Sequence, residues 1–376
     1  MQYRTFNKTG EKISLFGFGA MRLPELPGGK VDEDEAIKMI RKAIDHGVNY
    51  IDTAYMYHDG VSEVIVGKAL KDGYREKVFL ADKLPLWDVG DEKGQQTTLD
   101  EQLRRLDVEY IDMYLAHNLN TATYKLAKKF NTIDFFERKK AEGIIKHIGF
   151  SFHDSLSLFK EIIDSYPWDF CQIQLNYMDI KWQAGVEGMK YAASKGIPVI
   201  VMEPLKGGLL IDSIPENVMK FWNEADIKRR PAEWALRWVA NFPEVLTILN
   251  GVSSMSQLTE NLLILNEASP DSMTENELDI IEKVSDIYNE LTQYPCTACR
   301  YCLPCPQKID IPMVMNLYNE WFLFAQNDKT IPSYKSMFIP GRTASDCTEC
   351  KTCEERCPQH LNISEMMNKA AELFDK

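Results

Sequence analysis

Ahead of residue 295 this sequence holds a single cysteine, Cys171, although the chain of 376 residues contains 9. That scarcity excludes a disulfide framework for most of its length. No stretch approaches the ~18 consecutive apolar residues of a membrane-spanning helix, so no membrane partner is expected. Positive charge is also in deficit: 43 Lys and Arg stand against 56 Asp and Glu, a net charge of −13. Such a surface repels a phosphate backbone, which argues against nucleic acid as a partner. The opening MQYRTFNKTGEKISLFGFG lacks a basic segment followed by an apolar one. No secretory signal is therefore read, and the cytoplasm is the expected location. No G-x-G-x-x-G follows the first apolar run, so the usual mark of an open dinucleotide-binding sheet is missing.

What is present is an ordinary globular composition, 45% apolar and 26% charged. The length suits a large α/β domain with a small appendage. Eight β-rich runs recur in the first 290 residues: SLFGFG, NYID, KVFLAD, EYIDMYLAH, KHIGFS, FCQIQLN, PVIVME and VLTILNG. Segments with apolar residues at helical spacing separate them, among them DEDEAIKMIRKAIDHG and PAEWALRWVANFP. Eight strands joined by crossover helices predict a parallel, closed (β/α)8 TIM barrel. The expected division is a barrel over 1–285 and a small cysteine-bearing domain over 286–376.

In such a barrel the chemistry belongs to the carboxyl ends of the strands. Asp52 ends the second run, Tyr57 follows it, Lys83 follows the third and His117 ends the fourth. Singly, each has a plain structural explanation: a cap, a packed ring, a solvated charge, a core histidine. Together, an acid, a phenol, an amine and an imidazole at neighbouring strand ends converge on one mouth.

These residues carry a resemblance. DTAYMYHDGVSEVIVGKAL is similar to the D-T-A-x-x-Y-x-x-G-x-S-E stretch of the aldo-keto reductase family, and FLADKL, DMYLAH, HIGFS, QLNY, EPLKGG and SQLTEN echo it further along. The resemblance spans most of residues 1–270. It implies a catalytic tetrad of Asp52, Tyr57, Lys83 and His117, and a nicotinamide cofactor, NAD(H) or NADP(H), bound without a Rossmann fold. Carbonyl reduction needs a hydride on carbon and a proton on oxygen. In that chemistry Tyr57 gives the proton, Lys83 favours the phenolate, Asp52 orients Lys83, and His117 donates to the carbonyl oxygen. By the same resemblance Met21, Ser151, Gln174, Met202, Gln257 and Asn261 contact the cofactor. The chain departs from the family at four such places. Phe152 stands for a common Asn, Met202 for a stacking Tyr, Gly251 for a common Lys and Gln257 for a common Arg. From Ile248 to Leu263 there is no Lys or Arg, so NADH is expected to serve at least as well as NADPH.

The tail holds C-x₂-C-x₂-C-x₂-C-P (Cys296, Cys299, Cys302, Cys305) and C-x₂-C-x₂-C-x₃-C-P (Cys347, Cys350, Cys353, Cys357). The second is the bacterial ferredoxin spacing for a 4Fe–4S cluster; the first is one residue shorter before its last cysteine. Two Cys₄ zinc sites are the alternative, but those usually separate two C-x-x-C hooks by a longer loop. Two 4Fe–4S clusters are therefore expected. Crossed ligation puts Cys296, Cys299, Cys302 and Cys357 on one cluster, and Cys347, Cys350, Cys353 and Cys305 on the other. The segments IPMVMNLYNEWFLFAQ and LNISEMMNKAAELF read as helices, and the tail resembles an α-helical dicluster ferredoxin. With the barrel, it resembles the iron–sulfur branch of the aldo-keto reductases.

The expected function is an oxidoreductase acting on a small carbonyl or alcohol, with an iron–sulfur domain that carries electrons, serves a redox partner protein or supports structure. The alternative is an electron-transfer or redox-sensing protein whose barrel binds nucleotide and a partner without carbonyl turnover. Nicotinamide moves two electrons and a cluster one, and no flavin motif is identified to convert between them.

Overall fold

The computed structural model describes residues 1–211, 214–296, 300–323, 330–338 and 340–376. The chain divides into two compact units, Met1–Pro204 with Ala232–Met273, and Leu205–Pro231 with Thr274–Lys376.

The first unit opens with two short antiparallel strands, β1 (Tyr3–Thr5) and β2 (Lys12–Ser14). Eight more follow: β3 (Phe16–Gly19), β4 (Tyr50–Asp52), β5 (Phe79–Leu84), β6 (Ile111–Leu119), β7 (Ile145–Phe152), β8 (Phe170–Gln174), β9 (Val199–Met202) and β10 (Val245–Asn250). They close into a parallel barrel in chain order, with β10 pairing both β9 and β3. This is the (β/α)8 barrel that the run pattern predicts. All nine residues of β6 are buried. A strand with the barrel interior on one side and helices on the other has no wet face, so its sequence runs apolar without alternation.

The helices follow from equally local causes. In Glu33–Asp45, Asp32 caps by accepting from the Glu35 N–H, three acidic residues fill the first turn and Lys42 sits in the last. Ala36, Met39, Ile40, Ala43 and Ile44 form its buried stripe at three- and four-residue spacing. Gly47 ends it at φ +92°, where an added Cβ would lie 2.7 Å from the Tyr3 hydroxyl.

The β1–β2 hairpin was not evident as a separate element in the sequence, because three-residue strands give no alternation to read. Its Phe6 and Ile13 are fully buried in one cluster with Tyr50, Phe170 and Leu246, residues at the amino ends of their strands. The hairpin thus packs into the amino-terminal end of the barrel. At the other end the register sets Gly19 opposite Asp52, Asp52 opposite Ala81, and Lys83 opposite Leu115. The carboxyl ends of β4, β5 and β6 are side by side.

The second unit is helical, with Glu216–Glu224, Glu275–Leu291, Ile311–Leu323, Thr330–Met337, Thr352–Arg356 and Ile363–Phe374. Val314, Met315, Met366, Met367, Ala370 and Phe374 share its core, and the Tyr334 ring stacks on Phe374 at 4.7 Å. Thr274 and Glu277 form a capping box on Glu275–Leu291, and Arg229 pairs with Glu277 at 2.6 Å. Among the described residues no helix is long and apolar enough to cross a membrane.

Candidate active site and cysteine-lined cavity

Lys83 is the centre of the barrel's polar cluster. Its side chain is buried, and its Nζ donates to Asp52 Oδ1 at 2.6 Å, to the Thr53 carbonyl at 2.7 Å and to the Tyr57 hydroxyl at 3.3 Å. An ammonium has three N–H groups, and here it has three acceptors. The phenol oxygen accepts in this contact, so its own proton is not committed to Lys83. Burial raises the pKa of Asp52, and the Lys83 charge and hydrogen bond oppose that rise. The His117 ring stands edge-on to Tyr57, with centroids 6.2 Å apart, and is tilted against Trp87 at 5.1 Å. Burial first, then Lys83 and His153, hold the His117 pKa well below the ordinary histidine value. It is therefore a neutral imidazole near pH 7, with one ring N–H to donate. The four residues expected at one mouth are brought together.

The rest of the D-T-A…S-E stretch explains how. The Thr53 and Ser62 hydroxyls are 2.9 Å apart, and Ser62 Oγ donates to the Ala20 carbonyl, tying β4 to the turn after β3. Glu63 is fully buried and accepts from Arg105 at 2.8 Å. His58, Asp59 and Gly60 are all left-handed, at φ 50°, 56° and 85°. Two non-glycine residues in that region cost about 1–2 kcal/mol each. The turn that presents Tyr57 is held there partly by His58, whose Nε2 accepts from the Leu23 N–H.

The cofactor candidates lie in the same unit with differing commitments. Met21 is half-buried in the short helix Ala20–Arg22. Ser151 in β7 accepts from the Asn118 N–H at 2.7 Å, which leaves its hydroxyl hydrogen to donate. Gln174, ending β8, gives its Nε2 to Asp179 at 2.6 Å. Met202 ends β9, and its sulfur accepts from Gln172 at 3.7 Å. Gln257 Oε1 accepts from the Ser253 N–H at 2.9 Å, and Asn261 donates to Asn250 Oδ1 at 3.2 Å. Gln257 and Asn261 thus order the loop after β10.

Sequence reasoning missed four residues of this region. Trp87 leans on His117, and His153, at the end of β7, is a second buried imidazole, its pKa pushed down to about 4 by burial. Asn118, 5% exposed, has an Oδ1 without a hydrogen-bond partner. The fourth, Arg22, follows Met21 directly. A strand-end position was the only available signal for His153 and Asn118. A donor at Ser151 beside an acceptor at Asn118 fits the two faces of a carboxamide. A separate cavity of about 390 Å³ lies at the amino-terminal end of the barrel, where Arg4 is spent on the carbonyls of Ala240, Phe242 and Val245.

In the second unit, Cys302, Cys305, Cys347, Cys350 and Cys353 line one cavity with Ile309, Ile311, Ile363 and Met367. Cys302 and Cys305 thus both lie with the second cysteine run, across more than forty residues of chain. Cys296 packs at the edge of the unit's core, and Cys357 is buried within it. Cys299 lies outside the described residues. The ligands of iron–sulfur clusters are thiolates, so the side chains of this lining are of the right chemical type for one.

Residues 16–283 match the model of the aldo/keto reductase family, and residues 295–362 that of the 4Fe-4S dicluster domain. The chain is 27% identical over 315 residues to L-galactose dehydrogenase of Arabidopsis thaliana, covering 78% of this chain and 97% of that protein. It is 27% identical over 298 residues to the NADH-specific methylglyoxal reductase of Escherichia coli (strain K12), covering 68% and 90%. Among solved structures, the holo form of an aldo-keto reductase from Bacillus halodurans superposes with a TM-score of 0.64 at 28% identity, covering 76% of this chain and 96% of that one. This chain belongs to the aldo/keto reductase family and carries a 4Fe-4S dicluster domain at its C-terminal end.

Proposed function

We propose that the protein is a nicotinamide-dependent oxidoreductase that interconverts a small carbonyl compound and its alcohol, with Asp52, Tyr57, Lys83 and His117 as its working residues. The observation that carries the reading is the three-acceptor seat of Lys83, which points one N–H at the Tyr57 oxygen. The nicotinamide supplies the hydride when bound. Tyr57 gives its proton to the substrate oxygen as negative charge develops there. Lys83 stabilises the phenolate that remains, and Asp52 keeps Lys83 aimed. Neutral His117 donates its ring N–H to the same oxygen and fixes the carbonyl. Ser151 and Asn118 Oδ1 hold the carboxamide, donor to acceptor and acceptor to donor.

NADH is the expected partner, since the loop after β10 offers the 2′-phosphate no Lys or Arg and Arg229 is paired with Glu277. The E. coli relative is named as NADH-specific, which is in keeping with this. Turnover by the full-length protein with NADH, NADPH and a panel of small aldehydes and ketones tests the reading. Absence of any carbonyl turnover would leave an electron-transfer protein instead.

The C-terminal unit holds two 4Fe–4S clusters in this proposal, and they supply one-electron chemistry. Cys347, Cys350, Cys353 and Cys305 hold one, and Cys296, Cys299, Cys302 and Cys357 the other, by the crossed ligation of this type of run; the cavity that brings Cys305 to the second run also admits Cys302. Cys305→Ala is expected to cost the cluster of the second run rather than its sequence neighbour. A crystal structure with Cys305 on the same cubane as Cys296 and Cys302 would refute the crossing.

A further inference from the structure

Behind the polar cluster, two acids are buried against each other. Side chains alternate along a strand, so Asp82 leaves β5 on the side opposite Lys83. There its carboxyl is within hydrogen-bonding reach of the Glu63 carboxyl, on the helix Val61–Ala69, and both side chains are fully buried. Each acid has one committed oxygen. Asp82 Oδ1 accepts from the Lys83 N–H at 2.8 Å, and Glu63 Oε2 accepts from Arg105 at 2.8 Å. The other two oxygens, Asp82 Oδ2 and Glu63 Oε1, have no hydrogen-bond donor. Charge is out of balance as well. Asp52, Asp82 and Glu63 are three buried carboxyls against two cations, Lys83 and Arg105, and Arg105 is shared with Glu101. Two carboxylates in contact cannot both ionise in a buried site, and one proton removes both the repulsion and the missing donor.

We propose that Asp82 and Glu63 share a single proton, and that the bond it makes positions Tyr57 against Lys83. The proton resides on Asp82 and is donated to Glu63, whose charge stays on Arg105. Burial, then the Glu63 charge, push the Asp82 pKa up, in keeping with this. On one side the pair is fixed to the strand of Lys83 through that residue's own N–H. On the other it reaches the turn of Tyr57 through Arg105, whose Nη1 donates to the Tyr55 carbonyl at 3.2 Å and whose guanidinium lies over the Tyr55 ring at 4.3 Å. The same nitrogen would be 2.7 Å from a Cβ at Gly60, so the glycine that closes the turn is what admits the guanidinium. The titratable groups around the pair are Lys83 on its own strand, Arg105 with its partner Glu101, and Tyr114, which stands opposite Asp82 in β6 and gives its hydroxyl to Gln102. None of these supplies the missing donor. Asp82 and Glu63 touch neither substrate nor cofactor; they are positioning residues, and their role rests on the reading of Tyr57 and Lys83 given above.

Infrared spectroscopy of the full-length, anaerobically purified protein reads the proton directly, as the carbonyl stretch of a protonated carboxyl group near neutral pH. Carboxyl-labelled aspartate should shift that band. Asp82→Asn and Glu63→Gln should each remove it, because one proton serves both acids. Positioning is read by titrating the Tyr57 phenol, as an ultraviolet difference against Tyr57→Phe, and by turnover. Asp82→Ala is expected to raise the phenol pKa, because Lys83 no longer faces it, and to lower kcat about 10²-fold with KM nearly unchanged, the scale of a ~1 Å misplacement. Asp82→Asn, whose amide makes the same bond, should recover most of that rate and gain on wild type as pH rises, having no proton to lose. A band absent from wild type, or one that survives Glu63→Gln, would overturn the shared proton. Wild-type phenol pKa and kcat in Asp82→Ala would overturn the positioning role. Should that variant not fold, a pH profile of Asp82→Asn parallel to wild type would overturn it equally. A wild type without carbonyl turnover would sink the oxidoreductase reading alone, since the band and the phenol titration need no substrate.

Discussion

The two ends of this chain organise their sites by opposite means. In the barrel, Lys83 is buried and all three of its hydrogen-bond acceptors come from the protein itself. Behind it, Asp82 accepts from the Lys83 N–H and Gln102 donates to the Lys83 carbonyl. The cysteine-lined cavity has no such scaffold. Its thiols come from loops and from one five-residue helix, Thr352–Arg356, entered through left-handed Glu349 and Lys351. Cys350 is exposed, and Cys302, Cys305, Cys347 and Cys353 are half-buried. A site on rigid strands is ordered by the fold. A site of thiols on loops takes its order from the metal it binds, because binding and folding are then one equilibrium.

The largest effect should come from iron. Structural metal sites in small domains contribute apparent free energies of about 10–16 kcal/mol where zinc has been measured. Chelation of iron is expected to abolish hydrogen-exchange protection in Ile311–Leu323 and Ile363–Phe374 while strands β4 to β7 keep theirs. Equal loss in both units would erase the contrast.

Next in size is Lys83→Met. Removing one partner of a buried ion pair typically costs about 3–5 kcal/mol, since the other charge stays buried. Urea unfolding of the barrel should show a loss of that order, and carbonyl turnover should vanish. Stability within about 0.5 kcal/mol of wild type would mean that the Asp52–Lys83 pair does not organise the site.

A smaller effect tests the support behind Lys83. Asp82 is fully buried, and burial, reinforced by Glu63, raises its pKa well above 3.8. The folded state thus keeps a proton that the unfolded chain releases above that value. This contribution to stability is complete below about pH 4 and is lost as pH rises through the folded pKa. Asp82→Asn removes the titration, so its denaturation midpoint should fall less with rising pH than that of wild type. Identical slopes would show Asp82 to be ionised in the folded protein.

Much of this was legible from residue order. Parallel strands buried on both sides leave apolar runs, and all eight barrel strands were read from them. The clustering of Asp52, Tyr57, Lys83 and His117 was legible because they sit at or just beyond strand ends. The turn that presents Tyr57 was not, because nothing local marks His58 and Asp59 as left-handed. Arg22 reads as an ordinary loop charge, since the glycine that gives it room lies at position 251. The bond from the Gln174 amide to Asp179 was not legible, because it is decided by how the loop after β8 folds back. Crossed ligation anticipates the nearness of Cys305 to the second cysteine run but not that of Cys302, and the apolar walls combine Ile309 and Ile311, just beyond Cys305, with Ile363 and Met367 of the last helix.

The central claim is that Tyr57, seated on Lys83, is the proton donor. Single-turnover reduction of a carbonyl substrate by Tyr57→Phe, with NADH affinity measured on the same preparation, tests it most directly. The phenolic proton is needed only as the alkoxide forms, so the loss belongs in the chemical step. The account predicts a rate lower by about 10²–10⁴-fold, with NADH binding within about twofold of wild type. A variant that kept more than about half of the wild-type rate would contradict it.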